Sequence, residues 1–178
     1  AKTLRFPLVL KGMGHAHKSE AGVVHLNLRS SQAVAQAAAD MDSNGYLLEQ
    51  MVTGGVAEVL VAVLRDPAHG FVLTLGAGGV MTEILADVST RLVPVTAQDV
   101  RAALAELRIY PVLCGYRGSL GVNIDALIQA VLGVQSFVLE TAAFLEEVEI
   151  NPLICTPDRA VAVDALITLG VSNDRDTN

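Results

Sequence analysis

Residues 148–166, VEINPLICTPDRAVAVDAL, restrict the possible folds more than any other stretch of this chain. Two runs rich in β-branched residues flank Thr156-Pro157-Asp158-Arg159, with proline at the second turn position, where its fixed φ suits a type I turn. The segment predicts an antiparallel hairpin centred between Pro157 and Asp158. Pairing symmetric about that centre sets Asn151 opposite Asp164. Strand side chains alternate with period two, so Glu149 shares that face, while Val148, Ile150, Ile154, Val161 and Val163 take the other, the core side. Two carboxylates and an amide oxygen on one patch suit Mg²⁺, a hard cation that takes one or two protein carboxylates and completes its shell with water and phosphate. The same alternation also describes a hairpin face that merely meets solvent.

The first half of the chain has the same short-strand character. Strands are predicted over 5–11, 22–28, 45–52, 56–65 and 71–75, separated by Gly, Pro, Asp or Asn. A helix over 31–42 carries Val34, Ala37, Ala38 and Met41 on one stripe. Thr96 and Asp99 form a capping-box pattern ahead of a helix over 97–107, and Asn123 caps Ile124, Leu127, Ile128 and Val131. A third helix is predicted over 136–146, after Gly133. Strands and helices without a regular βαβ repeat point to α+β architecture. Thr53-Gly54-Gly55 is the predicted hinge between a small lobe, 1–52, and a larger one, 53–170; the polar 171–178 reads as a fraying tail.

Composition removes several function classes. Hydrophobic residues make up 52% of the 178, yet no apolar run approaches the roughly 18 that would signal a membrane helix, so the apolar content is core. A formal charge of −7 without a basic cluster, and no Trp, argue against a nucleic-acid surface, which needs phosphate-neutralising Lys and Arg. Cys114 and Cys155 lie far apart with no metal-type spacing and read as buried reduced thiols, which favours a cytoplasmic setting. No targeting segment opens the chain, and the early strand without an initiator Met reads as a piece of something longer.

Two further stretches carry chemistry. In TLGAGGVMTEILADVSTRL, residues 74–92, Gly76, Gly78 and Gly79 follow a strand. Glycines there let N–H groups cradle an anion, or simply allow a tight turn; the stretch is neither a Walker A sequence nor a full dinucleotide fingerprint. Glu83, Asp87 and Arg91 recur every four residues and would share one helical face, as a functional ladder or as a solvated ion-pair row. In KGMGHAHKSEAGVV, residues 11–24, His15 and His17 could form a metal pair but have no third ligand nearby. An imidazole between glycines can instead accept a phosphoryl group and carry it between two sites, or be a plain surface histidine. His25, in a strand, and His69, in a turn, read as structural.

In their order along residues 6–167, FPLVLKG, HKSEAGVVHLNL, LLEQMVTGGVAEVLVAVLRDPAHG, LGAGGVMTEILADVSTRLVPV, GYRG and EVEINPL…VAVDALI resemble the ATP-grasp domain of the NDP-forming acyl-CoA synthetases. This is the ADP-forming acetate–CoA ligase family, related to the succinyl-CoA synthetase β chain. The resemblance implies an ATP-grasp fold whose small lobe is incomplete at its N-terminus, and a relay in which acid, CoA and ATP interconvert with acyl-CoA, ADP and phosphate through acyl phosphate and phosphohistidine. By the same resemblance His17 is the phosphoryl-carrying histidine of the swinging loop, and Lys11 contacts nucleotide phosphates. Glu49, Gln50, Met51 and Val52 match the strand lining the adenine pocket, with Glu58 facing the nucleotide. Gly78, Gly79, Glu83 and Arg91 fall in a further nucleotide-site block, and Glu149, Asn151 and Asp164 match the Mg²⁺ positions, in agreement with the hairpin argument. Departures are Glu20 where Asp is common, and Ala21-Gly22-Val23 where Val-Gly-Gly is common.

The implied cofactors are Mg²⁺ and ATP/ADP; the implied partners are CoA-binding and phosphohistidine-carrying domains, in the same chain or a partner subunit, without nucleic acid or membrane. Two other functions fit the same residues: a non-catalytic nucleotide-sensing module of an acyltransferase fusion, and an ATP-grasp carboxylate–amine ligase that needs no histidine.

Overall fold

The structure, a computed structural model, describes residues 4–14 and 22–170. The chain forms two compact units, Ala1–Thr53 and Gly54–Asn178. In the first, β1 (Leu8–Gly12) runs between β2 (Val24–Leu28) and β3 (Tyr46–Gln50) in a three-stranded antiparallel sheet. Helix α1 (Ser31–Asp40) starts at Ser30, whose hydroxyl accepts the Ala33 N–H at 3.1 Å, the bond that Ser at this position commonly makes. The helix packs Ala37 against Leu8 and Leu10 of β1, with Val23, Leu28 and Met41. Leu8 and Leu10 face α1, so the alternation turns Val9 and Lys11 to the other side.

The second unit comprises β4 (Ala57–Asp66), β5 (Gly70–Ala77), α2 (Met81–Leu85), β6 (Val88–Leu92), α3 (Ala97–Ala105), α4 (Tyr110–Cys114), α5 (Ile124–Glu140), β7 (Leu145–Cys155), β8 (Ala160–Ala162) and β9 (Ala165–Leu169). Its strands pair antiparallel in the order β6-β5-β4-β7-β8, with β9 also on β7. Sheets and helices thus follow the expected α+β pattern. One sheet face, with Val61, Val63, Leu73, Leu75 and Val148, packs on Val100 and Leu104 of α3 and Leu127, Val131 and Val138 of α5, all buried. Each such side chain contributes about 1.5–3 kcal/mol on leaving water. The capping box is formed as predicted: Thr96 Oγ1 accepts the Asp99 N–H at 3.2 Å, and Asp99 accepts the Thr96 N–H at 2.8 Å. Asn123 Oδ1 accepts the Ala126 N–H at 2.9 Å.

Three expectations need correction. The helix predicted over 136–146 does not exist separately. Helix α5 runs unbroken through Gly133 to Glu140, and β7 begins at Leu145. A helical glycine costs about 1 kcal/mol against Ala, and the apolar stripe that continues through Val134 and Val138 outweighs it. The ladder of Glu83, Asp87 and Arg91 is not helical either: α2 ends at Leu85 because Ala86 turns left-handed at φ 44°. The core side of the hairpin also changes phase. Val59 pairs with Leu153 but Val61 with Ile150, so β7 carries one extra residue at Asn151-Pro152, and proline, lacking an N–H, is at home in a bulge. Val148 and Ile150 face the core as expected, but beyond the bulge Leu153, Cys155 and Ala160 do so, in place of Ile154, Val161 and Val163.

Candidate functional site

The face of the large sheet away from α3 and α5 carries the candidate residues of the second unit. Register puts Thr90, Thr74, Ala62, Glu149 and Leu166 in one row across five strands. None of these residues belongs to the buried core beneath α3 and α5. The neighbouring row holds Val88, Gly76 and Leu60. The hairpin register, Leu153 with Ala162 and Ile150 with Ala165, brings Asn151 level with Asp164, as the turn predicts.

At the end of β5 the chain turns tightly against β4. The Gly78 N–H donates to the Glu58 carbonyl at 2.9 Å, and a Cβ on Gly78 would lie 2.7 Å from the Val59 backbone. Gly79 has φ +63°, and a Cβ there would run into the Glu58 carboxylate. Glycine is needed at both, at the first for close approach and at the second for its left-handed backbone as well. The Gly79 N–H donates to Asn151 Oδ1 at 2.7 Å across β4, and Thr82 Oγ1 donates to the Gly79 carbonyl at 2.8 Å. Asn151 Nδ2 reaches Thr82 Oγ1 at 3.5 Å. The structure therefore gathers Glu58, Gly78, Gly79 and Asn151, with Glu149 and Asp164 alongside in register. Thr82 completes the turn, and sequence reading missed it because a hydroxyl inside a helical window carries no signal of its own.

Glu83 is exposed on α2. Arg91 is not at the glycine turn: it shares a row with Leu73 on the helix-covered side. Its guanidinium meets Glu106 at 2.5 Å and Ser89 Oγ at 3.0 Å. That bond to Glu106 raises the Arg91 pKa and lowers that of Glu106. Asp87 is buried and accepts the N–H groups of Arg108 and Ile109 at 2.9 and 3.0 Å, which fixes the chain between α3 and α4.

In the first unit, Lys11 Nζ lies 2.7 Å from Glu49 Oε2, on the sheet face opposite α1. Gln50 ends β3, and Met51 and Val52 follow it, with the Met51 N–H donating to the Pro7 carbonyl at 3.0 Å. His15 and His17 lie outside the described residues.

Glu149, Asp164 and Asn151 offer hard oxygen donors, and Asn151 Oδ1 keeps a second lone pair beyond the Gly79 N–H. Among the described residues no three His, Cys, Asp or Glu side chains gather as a metal cluster. A cation here would need water or ligand phosphate to fill its shell, as Mg²⁺ does.

Residues 1–169 match the ATP-grasp_5 family model, an ATP-grasp domain. The chain belongs to the ATP-grasp family. Within it, this ATP-grasp domain is 35% identical over 177 residues to the acetate–CoA ligase [ADP-forming] I subunit beta of Pyrococcus furiosus, covering 92% of this chain and 75% of the relative. Among solved structures it resembles the dinucleotide-forming acetyl-coenzyme A synthetase 1 of Ca. Korarchaeum cryptofilum in complex with coenzyme A, Ca-AMPCP and HgCl⁺. That match has a TM-score of 0.83 at 32% identity and covers 93% of this chain and 77% of the other. The same enzyme with coenzyme A and Mg-AMPPCP, its phosphohistidine segment pointing towards the nucleotide binding site, matches at TM-score 0.81 and 35% identity over 93% and 77%. The chain is thus an ATP-grasp domain of the ADP-forming acyl-CoA synthetase type, and no helix among its described residues is long and apolar enough to cross a membrane.

Proposed function

We propose that this ATP-grasp domain is the nucleotide end of an ADP-forming acyl-CoA synthetase, passing phosphate between a phosphohistidine at His17 and ADP. The observation that carries the reading is the Gly78-Gly79 turn, bonded to Glu58 on one side and Asn151 on the other, on a sheet face that also holds Glu149, with Asp164 level with Asn151 across the hairpin. In the direction of ATP formation, a β-phosphate oxygen of ADP attacks phosphorus in line. The O–P bond forms as the N–P bond breaks, and the imidazole nitrogen keeps the electron pair. Lys11 offsets phosphate charge in this reading, and the backbone of the segment from Glu49 to Val52 lines the base, leaving the Glu49 carboxylate to Lys11. Glu149, Asn151 and Asp164 hold Mg²⁺, which supplies charge neutralisation when bound.

The acyl and CoA chemistry belongs to partner domains, since the Pyrococcus furiosus relative is itself one subunit of its enzyme. Two free thiols, one of them exposed, fit a reducing cytoplasmic setting. The test is to supply labelled ATP and Mg²⁺ and measure acid-labile, base-stable phosphate on the protein beside a His17→Ala variant. Label on the parent protein that disappears in the variant is the expected result. A folded, nucleotide-binding protein that takes no label refutes the relay, and label that survives the substitution moves it to another residue.

A further inference from the structure

Lys11 and Glu49 stand diagonally on β1 and β3, since Val9 pairs with Glu49 and Lys11 with Leu47. The lysine side chain is only 8% exposed, the glutamate 36%. An ammonium held that far from water requires compensating negative charge, and the Glu49 carboxylate at 2.7 Å supplies it. A nucleotide phosphate arriving at Lys11 brings a larger negative charge to the same ammonium. The carboxylate cannot keep its full interaction while the phosphate gains its own, and the two anions repel at close range. Glu49, the more exposed partner, has solvent to receive its carboxylate.

We propose that Glu49 is a resident counter-ion of Lys11, exchanged for nucleotide phosphate on binding, so that its carboxylate tunes phosphate affinity and takes no part in recognising the base. The inference rests on the reading that Lys11 receives phosphate. It assigns Glu49 a positioning role exerted through Lys11, and it fixes the sign of the effect. Neutralising Glu49 raises the free energy of the empty protein more than that of the complex, where phosphate already compensates the lysine. Nucleotide therefore binds tighter to the variant. A carboxylate accepting hydrogen bonds from the base or ribose would give the opposite sign.

The experiment measures Mg-ADP and adenosine binding calorimetrically on the full chain, for the parent protein, Glu49→Gln, Lys11→Met and the double variant. Glu49→Gln is expected to bind Mg-ADP about 3- to 10-fold tighter, with adenosine unchanged and with the gain absent on the Lys11→Met background. Should Glu49→Gln fail to fold, Glu49→Asp, which keeps the charge but retracts it, is expected to give a smaller gain of the same sign. Weaker or unchanged Mg-ADP binding in the substituted protein overturns the proposal, as does a loss of adenosine affinity or a gain that persists without Lys11. A parent protein that binds no Mg-ADP instead overturns the nucleotide reading itself, and this inference with it.

Discussion

The carboxamide of Asn151, on β7, accepts the N–H of Gly79 at 2.7 Å across the intervening strand β4, so the bulge of one hairpin holds the glycine turn that ends another. Asn151→Leu removes the acceptor and strands a part-buried donor. The cost is about 1–3 kcal/mol, and a domain of this size loses roughly 2–4 °C of Tm per kcal/mol. Thermal denaturation without ligand checks this independently of any effect on nucleotide.

Gly79→Ala imposes a left-handed backbone on alanine, at roughly 1–2 kcal/mol, and pushes its Cβ into the Glu58 carboxylate. In a Glu58→Ala background the crowding disappears but the φ penalty stays, so the cost of Gly79→Ala shrinks without vanishing. Denaturation of the four proteins in a double-mutant cycle measures the difference. An equal cost in both backgrounds contradicts the contact.

The hairpin was legible because Thr156-Pro157-Asp158-Arg159 fixes a turn, and a turn fixes every partner beyond it until the ladder is interrupted. Asn151 and Asp164 therefore fell level as predicted. The interruption itself was hidden: a bulge adds one residue to a strand without altering its composition, and only the register against β4 exposes it. The spacing of Glu83, Asp87 and Arg91 misled for a related reason. Four-residue recurrence satisfies a helix, but Ala86 leaves the helix, and the partners that claim Asp87 and Arg91 come from the chain just after α3. The ion pair of Lys11 with Glu49 depends on β1 being the middle strand, which is a matter of tertiary pairing and not of local pattern.

The two thiols are expected to behave differently. Burial pushes the Cys155 pKa up to about 12, so it remains a protonated, unreactive thiol at neutral pH. Cys114 is exposed. Titration of the native protein with a thiol reagent should count one fast group, lost in Cys114→Ser, and a second only after denaturant.

Acid stability follows from four exposed carboxylates. Hydrogen bonds from His69, Thr96, Arg91 and Thr156 lower the pKa values of Asp66, Asp99, Glu106 and Asp158, respectively. A carboxylate whose folded pKa is depressed contributes stability that is fully present above its ordinary value, 3.8 for Asp or 4.5 for Glu, and that is lost as pH falls through the folded value. These groups leave the melting temperature level between neutrality and about pH 5 and pull it down below that. Asp99→Asn keeps a capping acceptor while removing one titration, so its melting curve against pH should be shallower in acid.

Strand β4 lies between β5, which follows it directly, and β7, which arrives only after α2, β6 and all three later helices have been made. During synthesis, therefore, one edge of β4 stays open until almost the end of the described chain has left the ribosome. A ribosome stalled before Leu145 would present the β4–β5 hairpin with the β7-side N–H and C=O groups of β4 unpaired, a natural target for chaperones.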